Sequence, residues 1–292
     1  MTDENAEGCI ACGWTSKQQR QCCSSSHVKL IYGAHNRGVW SIGSDLILKQ
    51  RPDEGPKIEV QTLNQLTAHK DIPVPKVLYK WVDHDQRYFI LEERVDGQTL
   101  DEAWPSLSTS QKAHIADEVA EIRNQLRYIT SPSIQSVDQG PCFPGLLFFD
   151  LEPRGPFHSD IELWNAIALT LHDPPGKQFP LDVLENLKKR FPPCEPYVLT
   201  HCDLNLGNVI VKDGKLVGIL DWEYAAYYRI WYEYVSASWG LTEMDAEWKA
   251  LLRERLDVHG DAMEFLTYLC HLRQYPDLND KGRGILEKLS LD

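Results

Sequence analysis

Two carboxylates and one amide in the second half of the chain are spaced so that they could share one site. They lie in the stretch LTHCDLNLGNVIVKDGKLVGILDWEY, where Asp203 and Asn208 occupy one tight loop after a predicted strand. Asp213-Gly214 is a strong β-hairpin signal, so the chain can fold back and bring Asp221 beside them. Carboxylate and amide oxygens are hard ligands that suit Mg²⁺ rather than zinc. Phosphoryl transfer needs such a metal, together with a carboxylate that orients the attacking hydroxyl and accepts its proton.

The elements around this stretch predict two lobes. Between Val28 and Glu93, short apolar runs separated by turn residues predict five strands, and helical spacing predicts one helix at about 57–69. Beyond Val95 the apolar spacing is mainly that of helices. Two lobes with a crevice between them favour a ligand at their interface.

The string H-x-D-x-x-x-x-N followed by I-L-D-W-E, from His201 to Glu223, resembles the aminoglycoside phosphotransferase family of the protein-kinase-like fold. The longer run THCDLNLGNVIV…GILDWEYA is especially similar to fungal members. The resemblance covers roughly residues 28–270. It implies an α+β, bilobal protein-kinase-like fold, with a small β-rich, nucleotide-binding N-lobe over 28–93. A larger helical C-lobe over 94–292 would hold the catalytic loop and the substrate.

The resemblance also implies an activity. It predicts an enzyme that uses ATP and Mg²⁺ to move the γ-phosphoryl group to a hydroxyl of a small molecule. Asp203 matches the position of the catalytic base, and Asn208 and Asp221 match those of the Mg²⁺ ligands. His201 is then a structural brace of the loop. Cys202 stands where glycine is commoner and is expected to be inert.

A lysine at the end of the third strand should contact the phosphates, and the string LILK puts Lys49 there. A glutamate from the following helix should pair with it. Glu59 shares the apolar stripe of that helix, where a carboxylate needs a partner. The alternatives are that both residues are surface charges, or that Glu54 pairs with Lys49, although Pro56 opposes a helix that begins so early.

The nucleotide flap and the lobe connector complete the predicted nucleotide contacts. Gly33 and Gly38 occupy the place of a glycine-rich flap whose backbone N–H groups would face phosphates. An ordinary hairpin turn is the alternative, because only two glycines are present. The connector is expected near Glu92 to Val95, and the backbone groups of Glu93 and Val95 are candidates for bonding the adenine.

The acceptor side of the site is assigned to aromatic and acidic residues. The loop over about 130–158 is long and rich in aromatic residues, which favours an ordered, functional lid. Carboxylates with aromatic rings could hold a cationic amine, whereas so acidic a chain could equally show a solvated face here. Glu223 could face the substrate or brace the loop. The substrate candidates are Phe148, Phe149, Trp222, Glu223 and Trp231.

Composition argues against several classes of protein. Forty-three acidic residues against thirty basic ones give a formal net charge of -13, which opposes nucleic acid as the main partner. No apolar run approaches the roughly 20 residues that span a bilayer. The N-terminal MTDENAEG also lacks the apolar region of a secretory signal. We expect a soluble cytoplasmic protein with no membrane partner, a monomer or weak dimer that acts on a small molecule.

Residues 1–27 are expected to form a flexible tail that lies outside the resemblance. They contain Cys9, Cys12, Cys22 and Cys23, and four thiolates could hold a structural zinc ion. The adjacency of Cys22 and Cys23 is awkward for one small site. Free thiols, a zinc site and disulfide bonds all stay open on these residues.

Two other functions fit parts of the pattern. A protein kinase needs an activation segment closed by an Ala-Pro-Glu-like motif, whereas Asp221 runs directly into WEYAAYYRIWYEY. A nucleotide-binding pseudokinase would be indicated by the loss of Lys49, Asp203, Asn208 or Asp221, and all four are present. A nucleotide-turnover assay separates the pseudokinase from a small-molecule kinase.

Overall fold

The computed structural model describes residues 28–34, 36–53, 55–171, 179–193, 195–274 and 280–291. The cysteine-containing segment 1–27 and Glu54 therefore lie outside the described residues, and the predictions made for them stay predictions. No helix in this part of the chain is both long enough and apolar enough to cross a membrane.

The N-terminal part is a five-stranded antiparallel sheet with one helix, as the sequence predicts. The strand order is β1-β2-β3-β5-β4. The helix α1 (Glu59–Leu66) is shorter than the predicted 57–69, because the chain leaves the helix through a series of tight turns after its last residue. The strands are β1 (Val28–Ala34), β2 (Arg37–Ile42), β3 (Leu46–Pro52), β4 (Val77–Val82) and β5 (Arg87–Glu93).

One face of this sheet packs against α1 and carries the predicted lysine. In the register of the strands, Lys49 lies opposite Val39 on β2 and Ile90 on β5. Residues opposite each other in an antiparallel pair point to the same face. Since Ile90 packs with Val60 of α1, the side chain of Lys49 projects from the same face as that contact.

The rest of the described chain is mainly helical and holds the larger core. The longest helix begins at a capping box, in which the Ser108 hydroxyl accepts from the Gln111 N–H and the Gln111 side chain accepts from the Ser108 N–H. The helices are α2 (Leu100–Ala103), α3 (Thr109–Leu126), α4 (Gly145–Phe148), α5 (Asp160–Leu171), α6 (Leu181–Lys189), α7 (Tyr232–Ser236), α8 (Glu243–Arg253), α9 (Gly260–Gln274) and α10 (Asp280–Leu291).

Two small antiparallel sheets lie within this helical part. Their orders are β10-β9-β6 and β11-β8-β7. The β9–β10 turn has Asp213 at φ 52° and Gly214 at φ 74°, which is the backbone that the Asp-Gly signal predicts. The strands are β6 (Gln98–Thr99), β7 (Thr130–Ser131), β8 (Tyr197–Thr200), β9 (Val209–Lys212), β10 (Lys215–Ile219) and β11 (Ala226–Arg229).

The long segment over about 130–158 is built into the core. It contributes β7 to one small sheet, and Gln135 forms a further bridge to Tyr227 of β11. The Leu147 and Phe148 side chains on α4 are buried in the main core. The segment is therefore ordered, as its aromatic content predicts, and its apolar residues point mainly inward.

The connector between the two parts of the chain lies against a glycine. A Cβ atom on Gly218 of β10 would be only 2.7 Å from Cγ1 of Val95. Glycine at this position therefore lets the connector pack directly on the β9–β10 hairpin. The close packing places the end of β5 beside the strand that leads to Asp221.

Candidate active site

The predicted catalytic loop begins where β8 ends, and His201 braces it. The His201 ring is fully buried, with Nε2 2.8 Å from the Leu220 carbonyl oxygen. The Asp203 N–H donates to Nδ1 of the same ring at 3.2 Å. A carbonyl only accepts, so Nε2 carries the proton and the ring is neutral. This geometry agrees with the prediction of a structural brace.

Asp203 and Asn208 are joined by hydrogen bonds across the loop. The Asn208 amide nitrogen donates to the Asp203 carboxylate oxygen Oδ2 at 3.1 Å and to the Asp203 carbonyl oxygen at 2.9 Å. The Asn205 amide donates to Oδ1 of the same carboxylate at 2.9 Å. These bonds fix the orientation of the Asp203 carboxylate. They also leave the Asn208 oxygen Oδ1 without a hydrogen-bond partner among the described residues.

The β9–β10 hairpin brings Asp221 next to this loop. The Leu220 N–H donates to the Asn208 carbonyl oxygen at 2.8 Å, which ties the end of β10 to the catalytic loop. Asp221 adopts a left-handed backbone at φ 60°, a conformation that aspartate tolerates better than most residues. No described residue lies within ion-pair distance of its carboxylate.

Lys49 lies between two buried carboxylates. Its Nζ is 2.5 Å from Glu59 Oε1 and 3.6 Å from Glu92 Oε1. The Lys49–Glu59 pairing that the helical spacing predicts is therefore present, and the surface-charge alternative is wrong, because Glu59 is buried. Burial opposes the charge on Lys49, but Glu59, Glu92 and Asp221 together raise the pKa of its ammonium group, so it stays protonated.

The sequence predicts Glu92 only as a boundary of the connector. In the structure its buried side chain lies beside Lys49, which the sequence does not predict. Burial raises the pKa of Glu92 to about 7, and Lys49 opposes the shift. Glu93, one residue further on, points outward and its Oε1 lies 2.7 Å from Lys76 Nζ. The Val95 N–H has no hydrogen-bond partner among the described residues, so this backbone donor is available to a ligand.

Glu223 connects the two parts of the chain through two arginines. Its Oε1 lies 2.7 Å from Arg37 in the flap, and its Oε2 lies 2.5 Å from Arg51 on β3. Both carboxylate oxygens are therefore used by arginines. Of the two predicted roles, the structure supports the brace and does not support the substrate contact.

The flap glycines lie within paired strands. Gly33 on β1 and Gly38 on β2 are opposite each other in the register, one pair away from the turn. A Cβ atom on Gly38 would lie 2.3 Å from the Trp40 ring. This glycine therefore makes room for a tryptophan side chain, and the phosphate role of both glycines stays a prediction.

Three of the predicted substrate residues are buried in the core. Trp222 is 0% exposed and Trp231 is 2% exposed, and both indole N–H groups donate to backbone carbonyls. Phe148 is 4% exposed and stacks on Phe157. These side chains have no free surface for a substrate in this structure, so their assignment is corrected to core packing. Phe149 is 42% exposed and keeps an accessible ring.

Residues from α7 and α8 hold the predicted catalytic loop in place, a role that the sequence patterns do not predict for them. The buried Glu233 carboxylate accepts from the His201 and Cys202 N–H groups at 2.8 and 3.3 Å. Cys202 has a φ of 75°, a region that suits the glycine commoner at this position.

Two further side chains act on the middle of the loop. Asp245 accepts from the Leu206 N–H at 3.1 Å, and Trp248 Nε1 donates to the Leu204 carbonyl oxygen at 2.9 Å. Two acidic residues and one tryptophan in helices give no local signal of such a role. Only an inward helical position could have suggested it.

The model of the phosphotransferase enzyme family matches residues 28–266 of the chain. The chain belongs to the phosphotransferase enzyme family. No curated protein matches the chain. The finer similarity to fungal members of the family stays a prediction.

Solved structures of aminoglycoside phosphotransferases have the same fold. A thermostable mutant of aminoglycoside phosphotransferase APH(4)-Ia, in a ternary complex with AMP-PNP and hygromycin B, is 18% identical with a TM-score of 0.59 over 93% of each chain. The GDP complex of wild-type aminoglycoside 2'-phosphotransferase-IIIa is 16% identical with a TM-score of 0.54, covering 94% of this chain and 95% of that one. These likenesses confirm the predicted α+β, bilobal protein-kinase-like fold.

Proposed function

We propose that the protein is an ATP-dependent kinase that moves the γ-phosphoryl group to a hydroxyl of a small molecule. The observation that carries this proposal is the meeting of Asp203, Asn208 and Asp221 at one loop, within the electrostatic influence of Lys49. Membership of the phosphotransferase enzyme family supports the reaction class. Solved relatives in complex with AMP-PNP or GDP support a nucleotide as the donor.

The nucleotide would lie between the N-terminal sheet and the catalytic loop. Lys49 supplies a protonated ammonium group for the phosphates, and Glu59 holds it at 2.5 Å. The backbone groups of Glu93 and Val95 would bond the base. Gly33 and Gly38 remain our candidates for the flap that covers the phosphates.

The donor set at the loop fits Mg²⁺. The Asn208 amide nitrogen is used by Asp203, so the oxygen Oδ1 is available as a ligand. The Asp221 carboxylate beside it is within ion-pair distance of no described residue. Amide and carboxylate oxygens are the ligands that this hard cation prefers. When bound, Mg²⁺ supplies neutralisation of the phosphate charge.

Asp203 is the base in this proposal. Hydrogen bonds from Asn205 and Asn208 orient its carboxylate and leave lone pairs for the proton of the acceptor hydroxyl. The hydroxyl oxygen attacks the γ-phosphorus while the bond to the β–γ bridging oxygen breaks, and ADP leaves with that electron pair. The hydroxyl proton passes to Asp203. Because the ring of His201 is held neutral by two hydrogen bonds, it takes no part as an acid.

The acceptor would enter from the helical part of the chain, under a lid formed by part of the 130–158 segment. The N-terminal sheet and the connector form the nucleotide half of the site, so the remaining elements must shape the acceptor half. Phe149 is the predicted substrate residue whose ring is most accessible, at 42% exposed. Structures of related proteins contain hygromycin B or kanamycin, which are small molecules with hydroxyl groups.

The proposal is tested by incubating the protein with ATP, Mg²⁺ and a metabolite library and following the mass gain of one phosphoryl group. Asp203→Asn should lower turnover by about 10²- to 10⁴-fold, the usual contribution of a general base, with nucleotide binding retained. Asp213→Asn, an exposed change in the β9–β10 turn, is the matched control.

Two outcomes would contradict the assignment. Turnover retained in both Lys49→Ala and Asp221→Ala would exclude this site as the catalytic one. Nucleotide binding without any phosphorylated product would favour the pseudokinase alternative.

A further inference from the structure

Glu92 is a buried carboxylate that the proposed mechanism does not use. It is 2% exposed and directly precedes Glu93 of the connector. Its Oε1 lies 3.6 Å from Lys49 Nζ, but Glu59 already contacts that ammonium group at 2.5 Å. Its Oε2 has no hydrogen-bond partner among the described residues. A buried carboxylate oxygen without a partner is costly, so it marks a place where the donor group of a ligand fits.

The Glu92 side chain lies on the sheet face that carries Lys49, the predicted phosphate contact. Side chains alternate along β5, so Glu92 shares the inward face of the sheet with Ile90 and Lys49. Asp221, on the opposite side of the cleft, contributes to the electrostatic environment of the Glu92 carboxyl group. The carboxylate therefore lies between the Lys49 ion pair and the connector, at the expected edge of the base.

We propose that Glu92 selects the nucleobase, with its carboxylate accepting a hydrogen bond from the 6-amino group of adenine. This inference rests on the proposed function, in which the backbone of Glu93 and Val95 bonds the same edge of the base. The 6-amino group has two hydrogens, so one bonds a backbone carbonyl and the other bonds Glu92.

Guanine has a carbonyl oxygen where adenine has the amino group. Two acceptors that face each other in a buried site repel, and neither is satisfied. Glu92 therefore favours ATP over GTP as the phosphoryl donor of this chain. Structures of proteins with this fold contain either GDP or the adenine nucleotide AMP-PNP. The fold alone therefore does not decide between guanine and adenine.

The test compares the affinities of ADP, GDP and purine riboside diphosphate, which is ADP without the 6-amino group. Each is titrated with Mg²⁺ in a calorimeter at about pH 8.5, above the raised pKa of Glu92, so that its carboxyl group is ionised and can only accept. A hydrogen bond to a charged group changes affinity by about tenfold to a hundredfold. The wild-type protein should therefore bind ADP tighter than purine riboside diphosphate by that factor, and tighter than GDP by at least as much. In Glu92→Met the ratio of ADP to purine riboside diphosphate should fall to within about threefold.

The ratio separates a contact with the base from a contact with Lys49. If Glu92 acts only on Lys49, Glu92→Met changes all three affinities by one factor and the ratio stays at its wild-type value, which overturns the inference. Glu92→Gln keeps an acceptor oxygen but adds a donor that can bond guanine, so it should narrow the preference for ADP over GDP. Asp96→Asn, whose exposed side chain pairs with Lys212, is the matched control and should keep the wild-type ratio.

The wild-type comparison needs no variant, so the inference stays refutable if Glu92→Met does not fold. Equal wild-type affinity for ADP and purine riboside diphosphate overturns the role of Glu92 and leaves the proposed function standing. A wild-type protein that binds none of the three nucleotides overturns both.

Discussion

Replacing Glu223 by glutamine should weaken the connection between the two parts of the chain. The Glu223 carboxylate contacts Arg37 of the flap and Arg51 of β3 at 2.7 and 2.5 Å. The side chain of Glu223 is 5% exposed and that of Arg51 is 8% exposed, whereas that of Arg37 is 40% exposed. The variant therefore leaves one arginine buried without a counter-charge and a second one free to turn into solvent.

The two ion pairs should differ in their contribution to the free energy of unfolding. Removing one partner of a buried pair costs about 3–5 kcal/mol, because the other charge stays buried. The Tyr88 ring lies 5.3 Å from the Arg51 guanidinium and offsets part of this cost. We therefore expect Glu223→Gln to lose about 3 kcal/mol. Arg37→Gln should lose less than about 1 kcal/mol, since it breaks an exposed pair and leaves Glu223 bound to Arg51.

Urea unfolding followed by tryptophan fluorescence measures both changes. The slope of the unfolding free energy against urea should stay the same in all variants, so that midpoints report stability directly. Glu254→Gln, a surface change with its side chain 73% exposed, should behave as the wild type. A loss below about 1 kcal/mol in Glu223→Gln, or an equal loss in Arg37→Gln, would refute the reasoning.

Two further predictions concern a buried carboxyl and a buried donor. Burial raises the pKa of Glu92 from 4.5 to about 7 although Lys49 opposes it, so the folded state binds more protons than the unfolded one in that window. The contribution of Glu92 to the free energy of unfolding therefore falls by about 3 kcal/mol as the pH rises from 4.5 to 7. In urea titrations at a series of pH values, Glu92→Gln should lack this pH dependence. Trp248→Phe removes the Nε1–H that donates to the Leu204 carbonyl oxygen. We expect the free energy of unfolding to fall by about 1–3 kcal/mol and turnover to decrease. An unchanged free energy of unfolding would contradict the proposed support of the loop by Trp248.

Local sequence patterns were enough to predict the five strands of the N-terminal sheet, the first helix and the loop that carries Asp203 and Asn208. Asp203 and Asn208 are five positions apart, so one tight loop brings them together whatever the rest of the fold does. The Asp213-Gly214 turn then brings Asp221 back to the same loop. Glu59 could be matched to Lys49 because side chains repeat along a helix with a fixed period. These signals depend on backbone geometry alone.

The burial and the contacts of the aromatic and acidic residues after Asp221 depended on the tertiary structure. Composition marks Trp222 and Trp231 as large and apolar but does not say whether such a ring meets a ligand or the core, and both are buried. Glu223 contacts Arg37 and Arg51, which are 186 and 172 positions away, and nothing in the spacing links them.

The residues that hold the predicted catalytic loop in place could not be predicted from the sequence either. Glu233, Asp245 and Trp248 reach the loop from helices that follow it in the chain, and Glu92 reaches Lys49 from a neighbouring strand. Periodicity assigns each residue a face of its own element, but which loop that face meets is set by the packing of elements distant in sequence. The sequence by itself determined which candidate groups share one loop, and the packing of distant elements decided which side chains hold that loop in position.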